Sequence, residues 1–159
     1  MRLVSSLSPT LGTLLRSLID LLDGEVETAY AAAGLAWRPR YTPVLRALMR
    51  SGPTSIKTIA AETGVSHSAA SQTVSQMARE GLVALTPGAD ARERIVALTP
   101  RTQAMIPALE RQQAATNAAA AELDAELSAP LTEVLGEAIA ALRRRRFGVR
   151  IADAVKARS

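Results

Sequence analysis

The hydrophobic pattern of this chain changes its period once, and that change constrains the fold more than any other feature. Residues 82–86 and 94–98 are short runs typical of β-strands, and the polar segment 87–93 separates them. On both sides of this pair, apolar residues recur at helical spacing. The sequence therefore predicts a mainly α-helical protein with one β-hairpin, in the order α-α-α-α-β-β-α-α.

Two short helices are predicted directly before the hairpin, at residues 55–62 and 66–80. Gly64 permits a tight turn between them, and Ser66 can satisfy free N–H groups at the start of the second helix. The apolar spacing of the second helix predicts three core-facing positions, at Ala70, Val74 and Met77.

Longer helices are predicted towards the two ends of the chain. The first follows Ser8 and Pro9, a cap and a first helical residue, and runs to about Ala33; a shorter helix follows at residues 41–50. After the hairpin, Thr99 and Pro100 begin a long helix to about Leu127, in which Pro107 should kink the first turns or delay the start. Its packing stripe is predicted at Leu109, Thr116 and Leu123.

A last helix is predicted from a Ser128 cap to the run Arg143–Arg146, followed by a short helix that contains Phe147 and Val155. The apolar positions of the last helix are expected to point inward: Leu131, Val134, Leu135, Ala138, Ile139 and Leu142. The arginine run fits two interpretations, a nucleic-acid contact or a solvated helix end that is favourable for the helix dipole.

Composition excludes several classes of protein. The chain has 159 residues, the size of a single domain, and contains no cysteine, which excludes disulfides, thiolate metal sites and cysteine-based redox sensing. No run is apolar enough to span a membrane and the N-terminus does not look like a signal peptide, so a cytoplasmic protein is expected. The formal net charge of +4 fits a polyanionic partner but is weak evidence alone.

The outer face of the helix at residues 66–80 has the character needed to enter a DNA major groove. It is short and polar, with small residues near its start and no acidic group before Glu80. At the hairpin, Arg92 and Arg94 flank the tip and can reach the DNA backbone or minor groove. Asp90 can pair with the Arg92 side chain and order the turn. The alternative to a DNA contact is that Arg92 only forms a surface ion pair with Asp90 or Glu93, which contributes little stability.

The segment from residue 34 to residue 99 resembles the MarR (multiple antibiotic resistance regulator) family. The matching stretches are Gly52–Ile56, Ile59–Ala60, Gly64–Gln72, Arg79–Val83 and the wing spacing Asp90-x-Arg92-x5-Leu98-Thr99. The sequence departs from the family at Thr63 and Thr73, which often are leucine, and at Thr102, which replaces a frequent glycine. Its hairpin is also about one residue shorter than usual.

The resemblance implies one MarR-like domain over residues 1–159, a winged helix-turn-helix with long N- and C-terminal dimerisation helices. Residues 41–99 would form the DNA-binding lobe, and residues 8–34 and 100–157 the helical dimerisation lobe. Arg92 would enter the minor groove, with Asp90 and Arg94 beside it. The residues implied to face the major groove are Ser66, His67, Ser68, Ala69, Ser71, Gln72 and Gln76.

The family also implies partners. They are double-stranded DNA, a second copy of the chain and a small aromatic effector that weakens DNA binding. Four residues near the junction of the first two helices are candidates for the effector pocket, with core packing or a dimer contact as the alternative role: Tyr30, Trp37, Arg38 and Tyr41. The absence of cysteine excludes the thiol-oxidation branch of the family.

An enzyme is not expected, because the sequence offers no catalytic constellation. His67 is the only histidine, so a metal or catalytic role is disfavoured, and its neighbour Ser66 points about 100° away along a helix. No cofactor motif is present. The resulting prediction is a homodimeric, sequence-specific transcriptional regulator, with a repressor favoured over an activator. The alternatives are a winged-helix protein-docking module and a DNA-binding architectural protein without sequence preference.

Overall fold

The computed structural model describes residues 8–90 and 92–158 and confirms the mainly helical winged-helix fold. These residues divide into two compact units, one ending at Gln113 and the other beginning at Ala114. Besides a 3₁₀ turn at Pro39–Tyr41, the elements are α1 Leu11–Ala32, α2 Thr42–Ser51, β1 Thr54–Ser55, α3 Ile56–Thr63, α4 His67–Arg79, β2 Val83–Pro87, β3 Arg94–Leu98, α5 Pro100–Glu126, α6 Leu131–Arg144 and α7 Phe147–Lys156.

The sheet has three antiparallel strands in the order β1-β3-β2, one more than the sequence predicted. β2 and β3 form the predicted hairpin, with Leu85 opposite Val96. The additional strand, β1, consists only of Thr54 and Ser55 and pairs with the other edge of β3, where Thr54 lies opposite Val96. Two residues are too few to show the alternating pattern of a strand, so β1 could not be recognised by periodicity.

The core of the first unit lies between α1, α2, α4 and the sheet. The Trp37 and Tyr41 rings pack perpendicular to each other with centroids 5.6 Å apart, and the indole Nε1 donates to the Thr42 hydroxyl at 3.2 Å. Ile59, Val74, Met77 and Val96 complete the centre of this core and are fully buried. Because this core encloses the inner face of α4, it fixes which face of that helix is left outside.

The helix starts show where capping was predicted correctly and where it was not. Ser66 accepts a hydrogen bond from the Ala69 N–H at 3.1 Å and caps α4 as predicted. Gly64 has φ +71°, a left-handed conformation that favours glycine at the turn before α4. The predicted Ser8 cap of the first helix is wrong, because α1 begins at Leu11 and the Thr10 hydroxyl accepts from the Thr13 N–H at 3.3 Å.

The junction between the sheet and α5 is held by two threonines. Thr99 caps α5 as predicted and accepts from the Thr102 N–H at 3.3 Å. Thr102 is fully buried, and its hydroxyl donates to the Leu82 carbonyl at 2.7 Å. Thr102 therefore anchors the first turn of α5 to the residue that precedes β2. The prediction that Pro107 delays the start of this helix is wrong, because α5 begins at Pro100.

We expect Thr102→Val to lower the free energy of unfolding by about 1 kcal/mol, because valine keeps the volume but loses the hydrogen bond. The loss is limited since the Leu82 carbonyl still accepts from the Thr99 N–H at 3.3 Å. Urea denaturation measures it. The matched control is Thr28→Val on α1, an exposed hydroxyl bonded to the Gly24 carbonyl, which should change stability by less than about 0.5 kcal/mol. Equal effects of the two changes would contradict the anchoring role of Thr102.

In the second unit, α6 begins by a different device from the one predicted. The N-cap residue of α6 is Pro130, which makes no side-chain capping hydrogen bond, so the predicted Ser128 cap is wrong. Instead, the Asp124 carboxylate accepts from the Leu131 N–H at 2.7 Å and from the Thr132 hydroxyl. The Thr132 hydrogen bond is the main reason that the pKa of Asp124 is held below its ordinary value. A carboxylate at this end is also favourable for the helix dipole.

The apolar residues of α6 remain accessible within the single chain. α6 and α7 have no buried residue among those the structure describes, so the prediction that the α6 positions point inward is wrong for an isolated chain. Val134, Ile139 and Leu142 are each more than two-fifths exposed. In the described ranges, no helix combines the length and apolar character needed to cross a bilayer.

Candidate nucleic-acid interface

The three buried residues of α4 determine which of its side chains reach solvent. Ala70, Val74 and Met77 are at most 2% exposed, as the sequence predicted. They lie on one face of the helix because residues three and four apart are neighbours on its surface. The opposite face therefore points away from the core, and it includes the N-terminal turn of the helix.

The seven predicted major-groove residues lie on or beside this outer face. Five are exposed: Ser66, His67, Ser68, Ala69 and Gln72. Two are partly covered: Ser71 and Gln76. The first turn of α4 carries no acidic residue, and its helical N–H groups favour a nearby phosphate. The outer face thus combines small side chains, hydrogen-bonding groups and a positive helix end.

The hairpin tip is ordered by its own backbone and by one carboxylate. Gly88 N–H donates to the Glu93 carbonyl at 2.8 Å, and Glu93 N–H donates to the Asp90 carbonyl at 2.8 Å. Asp90 Oδ1 accepts from the backbone N–H of Arg92 at 3.0 Å. The expectation that Asp90 orders the turn is met in this way.

The expected ion pair between Asp90 and the Arg92 guanidinium is not formed in the described part of the chain. The Asp90 carboxylate accepts from the backbone N–H of Arg92 instead. In a tight turn, the N–H of the residue two positions later lies closer to the carboxylate than that residue's side chain does. Arg92 and Arg94 are both exposed, on the tip and on the first residue of β3. Their guanidinium groups are thus available for an external anion.

Glu80 connects the end of α4 to the segment before α2. Its Oε1 accepts a hydrogen bond from Gln76 Nε2 at 2.6 Å and lies 3.7 Å from Arg38 Nη2. Burial raises the pKa of Glu80, but the contacts with Gln76 and Tyr41 and the charges of Arg38 and Arg40 together outweigh burial and leave the pKa below its ordinary value. The carboxylate is therefore ionised at neutral pH and acts only as an acceptor.

The four candidate effector residues have two different environments. Tyr30 and Tyr41 are core residues, and burial is the main reason that the pKa of Tyr41 is raised. Trp37 and Arg38 line a cavity of about 260 Å³ in the first unit. Its other lining residues are Glu27, Ala31, Leu35, Ala36 and Glu80. The structure thus brings Trp37 and Arg38 together at a cavity, while the two tyrosines lie outside its lining.

Two acidic residues that line this cavity were not predicted from the sequence. Glu27 and Glu80 line the cavity, and Glu80 also holds Gln76. The spacing of Gln76 and Glu80, four residues apart near the end of a helix, was the available signal for their contact. Glu27 offered no comparable signal, because its place in the cavity lining depends on how the segment after α1 packs.

One family model matches the segment of the chain that contains this candidate interface. The model described as MarR family matches residues 38–93, which include α2 to α4 and the tip of the hairpin. This segment of the chain is therefore similar to the MarR family, a family of DNA-binding transcriptional regulators. No curated protein matches the sequence significantly.

Solved structures share the fold at low sequence identity. The regulator PcaV from Streptomyces coelicolor, solved with its natural ligand, is 20% identical with a TM-score of 0.64, over 88% of this chain and 96% of that one. MOSR from M. tuberculosis, solved with DNA, is 23% identical with a TM-score of 0.64, over 92% and 98%. CouR, a repressor bound to a 23-mer duplex, is 18% identical with a TM-score of 0.61, over 84% and 92%.

Proposed function

We propose that this chain is a homodimeric, sequence-specific repressor that binds a pseudo-palindromic operator. The observation that carries the proposal is the outer face of α4, which is free of acidic groups from His67 to Arg79 and exposes His67, Ser68 and Gln72. Side chains of these types can hydrogen-bond to base edges in the major groove. The DNA complexes of MOSR and CouR support the same use of the fold.

In this proposal the hairpin provides a second contact to the DNA. Arg92 and Arg94 are exposed, and the Asp90 carboxylate fixes the backbone from which Arg92 projects. A guanidinium held at the tip of a wing can enter a minor groove, where the negative potential is enhanced when the groove is narrow. Asp90, Arg92 and Arg94 thus form the proposed wing contact.

Exposed apolar residues on α1, α6 and α7 support the proposal that a second copy of the chain is a partner. Monomeric proteins rarely expose large contiguous apolar patches, and such patches mark interaction sites. In the first unit, α1 exposes Leu11, Leu14, Leu15, Ile19, Leu21 and Leu22. In the second unit, α6 and α7 expose Val134, Ile139, Leu142, Phe147, Val149, Ile151 and Val155. We propose that both sets are covered in a homodimer, as the family resemblance implies.

The cavity beside Trp37 and Arg38 is the proposed site of a small aromatic effector. The cavity is open to solvent and has a volume of about 260 Å³. An aromatic ring would pack on Trp37, and an anionic group would pair with Arg38. Such a ligand lowers DNA affinity only if it binds the DNA-free arrangement more tightly. PcaV was solved with its natural ligand, which supports a ligand-binding role for this fold.

Selection of duplexes from a random-sequence pool tests the function. We expect the purified chain to recover a pseudo-palindrome with half-site centres about 10 bp apart, or a multiple of that distance. Recovery of no common sequence, with tight binding to every duplex, would instead indicate an architectural DNA-binding protein. Absence of binding at low salt would indicate a protein-docking module.

We expect Arg92→Ala to weaken binding to all duplexes about equally and to lower the salt slope of log K by about one. The physical reason is that the Arg92 guanidinium neutralises phosphate charge from its place at the minor groove, which releases counterions without hydrogen bonds to base edges. Fluorescence anisotropy at several salt concentrations measures both quantities. The control is Arg111→Ala, the loss of an exposed arginine from α5, which should leave the salt slope nearly unchanged. An unchanged slope for Arg92→Ala would contradict the wing contact.

A further inference from the structure

Glu80, the residue that follows α4, is held from three sides. Its carboxylate accepts from Gln76 Nε2 at 2.6 Å and lies 3.7 Å from Arg38 Nη2. Its backbone carbonyl accepts from Arg101 Nη1 of α5 at 3.1 Å. The Glu80 side chain is only 29% exposed. It is therefore better fixed than an ordinary glutamate on a helix surface, whose pairing four residues along is weak.

The contacts of Gln76 distinguish the two ends of its side-chain amide. Nε2 donates to the Glu80 carboxylate, while Oε1 accepts from Arg79 Nη2. A flipped amide would place Oε1 against a carboxylate oxygen and Nε2 against a guanidinium, which exchanges two hydrogen bonds for two repulsions. The charged groups on both sides thus select one orientation of the Gln76 amide.

We infer that Glu80 is a positioning residue that sets the direction in which Gln76 presents its amide to a base pair. The inference rests on the proposed function, because it requires Gln76 to face the major groove. Base edges differ in the order of their donors and acceptors, and an amide with a fixed orientation matches one order. An amide free to flip matches two orders and discriminates less between base pairs.

The ion pair between Glu80 and Arg38 connects the Gln76 hydrogen bond to the cavity. Arg38 lines the same cavity as Glu80, outside the DNA-facing surface of α4. The carboxylate therefore joins the cavity wall to Gln76 through one atom, Oε1, which meets both Arg38 and Gln76. Sequence discrimination by the outer face of α4 thus depends on a residue that touches no base itself.

The test measures affinities for a panel of duplexes that each change one base pair of the selected operator. Glu80→Gln is suitable because glutamine has the same size, but its own amide can donate as well as accept, so the change removes one of the two charges that select the Gln76 orientation. We expect discrimination to fall by about fivefold at the base pairs that Gln76→Ala affects, and to be unchanged elsewhere. In the Gln76→Ala background, Glu80→Gln should have no further effect on discrimination.

The matched control is Glu62→Gln on α3. Glu62 also has one ion pair, to Arg50 at 3.5 Å, and one hydrogen bond, from Ser51 at 2.7 Å, but neither partner lies on α4. Its change should leave the discrimination profile as in the wild type. Thermal melting of each variant checks that the fold is retained.

The outcomes separate this inference from the proposed function. Equal weakening of all duplexes by Glu80→Gln, or an equal change of discrimination with and without Gln76, would overturn the positioning role. An unchanged profile for Gln76→Ala, in a protein that still prefers its operator, would overturn the inference and leave the proposed function standing. A wild-type chain that does not discriminate among duplexes would overturn the proposed function itself.

Discussion

Leu142→Glu is expected to convert the proposed homodimer into monomers and to lower operator affinity by about 10²-fold or more. Leu142 is the last residue of the apolar stripe of α6 and is 43% exposed in the single chain. A charge there would have to be desolvated when a second copy covers the stripe, and burial of an unpaired charge is costly. Loss of the dimer also removes the gain in affinity from binding two half-sites at once.

Analytical ultracentrifugation and anisotropy on the same samples test this prediction. The matched control is Gly136→Glu, which adds the same charge to the same helix off the apolar stripe, where a Cβ would meet nothing within 4 Å. We expect the control to remain dimeric and to bind the operator normally. A Leu142→Glu protein that is still dimeric would show that α6 does not form the dimer interface.

Ser68→Glu is expected to reduce DNA affinity by about 10²-fold or more while the fold is retained. Ser68 is exposed in the first turn of α4, where the proposed interface has small residues and a positive helix end. A carboxylate at this position would face the DNA backbone and base edges, and juxtaposed like charges cost several kcal/mol. The helix itself should tolerate the change, because a negative charge near a helix N-terminus is favourable.

The control for Ser68→Glu separates a local effect from an effect of net charge. Ala104→Glu places the same carboxylate at an exposed position of α5, and both variants lower the formal net charge of +4 by one. Anisotropy at one salt concentration compares them, and we expect only a small loss for Ala104→Glu. Similar losses for both variants would mean that binding depends on overall charge rather than on the face of α4.

Much of the winged-helix segment could be predicted from the sequence because its signals are local. The change from helical to strand period located the hairpin, and Gly64 and Ser66 located the turn and start of α4. The inner face of α4 was also predicted correctly, since Ala70, Val74 and Met77 share a face by spacing alone. Such signals are sufficient where one helix face packs on one core.

The features that were missed depend on contacts between distant parts of the chain. β1 consists of two residues and exists because β3 has a free edge beside Thr54 and Ser55. Asp124 caps α6 from seven residues away, a longer range than a cap motif covers. The Glu80–Arg38 pair forms only after α4 packs beside the segment before α2. These contacts leave no periodic pattern in the sequence, so they could be identified only in the folded chain.

The α6 residues show a different limit of sequence patterns. Spacing identified an apolar stripe correctly but could not say what covers it, whether the same chain or a second copy. In the single chain, Val134, Ile139 and Leu142 stay exposed. Within the run Arg143–Arg146, Arg145 pairs with Asp153, which makes this arginine part of the second unit's own structure.

The most direct test of the central claim is fluorescence anisotropy of the purified chain with DNA from upstream of its own gene. The titration includes an excess of unrelated duplex and is repeated at two salt concentrations, because non-specific binding is strongly salt-dependent. We predict a preference of about 10³-fold or more for the upstream DNA over the unrelated duplex. Equal affinity for the two DNAs, from a dimeric sample, would contradict a sequence-specific regulator of its own gene.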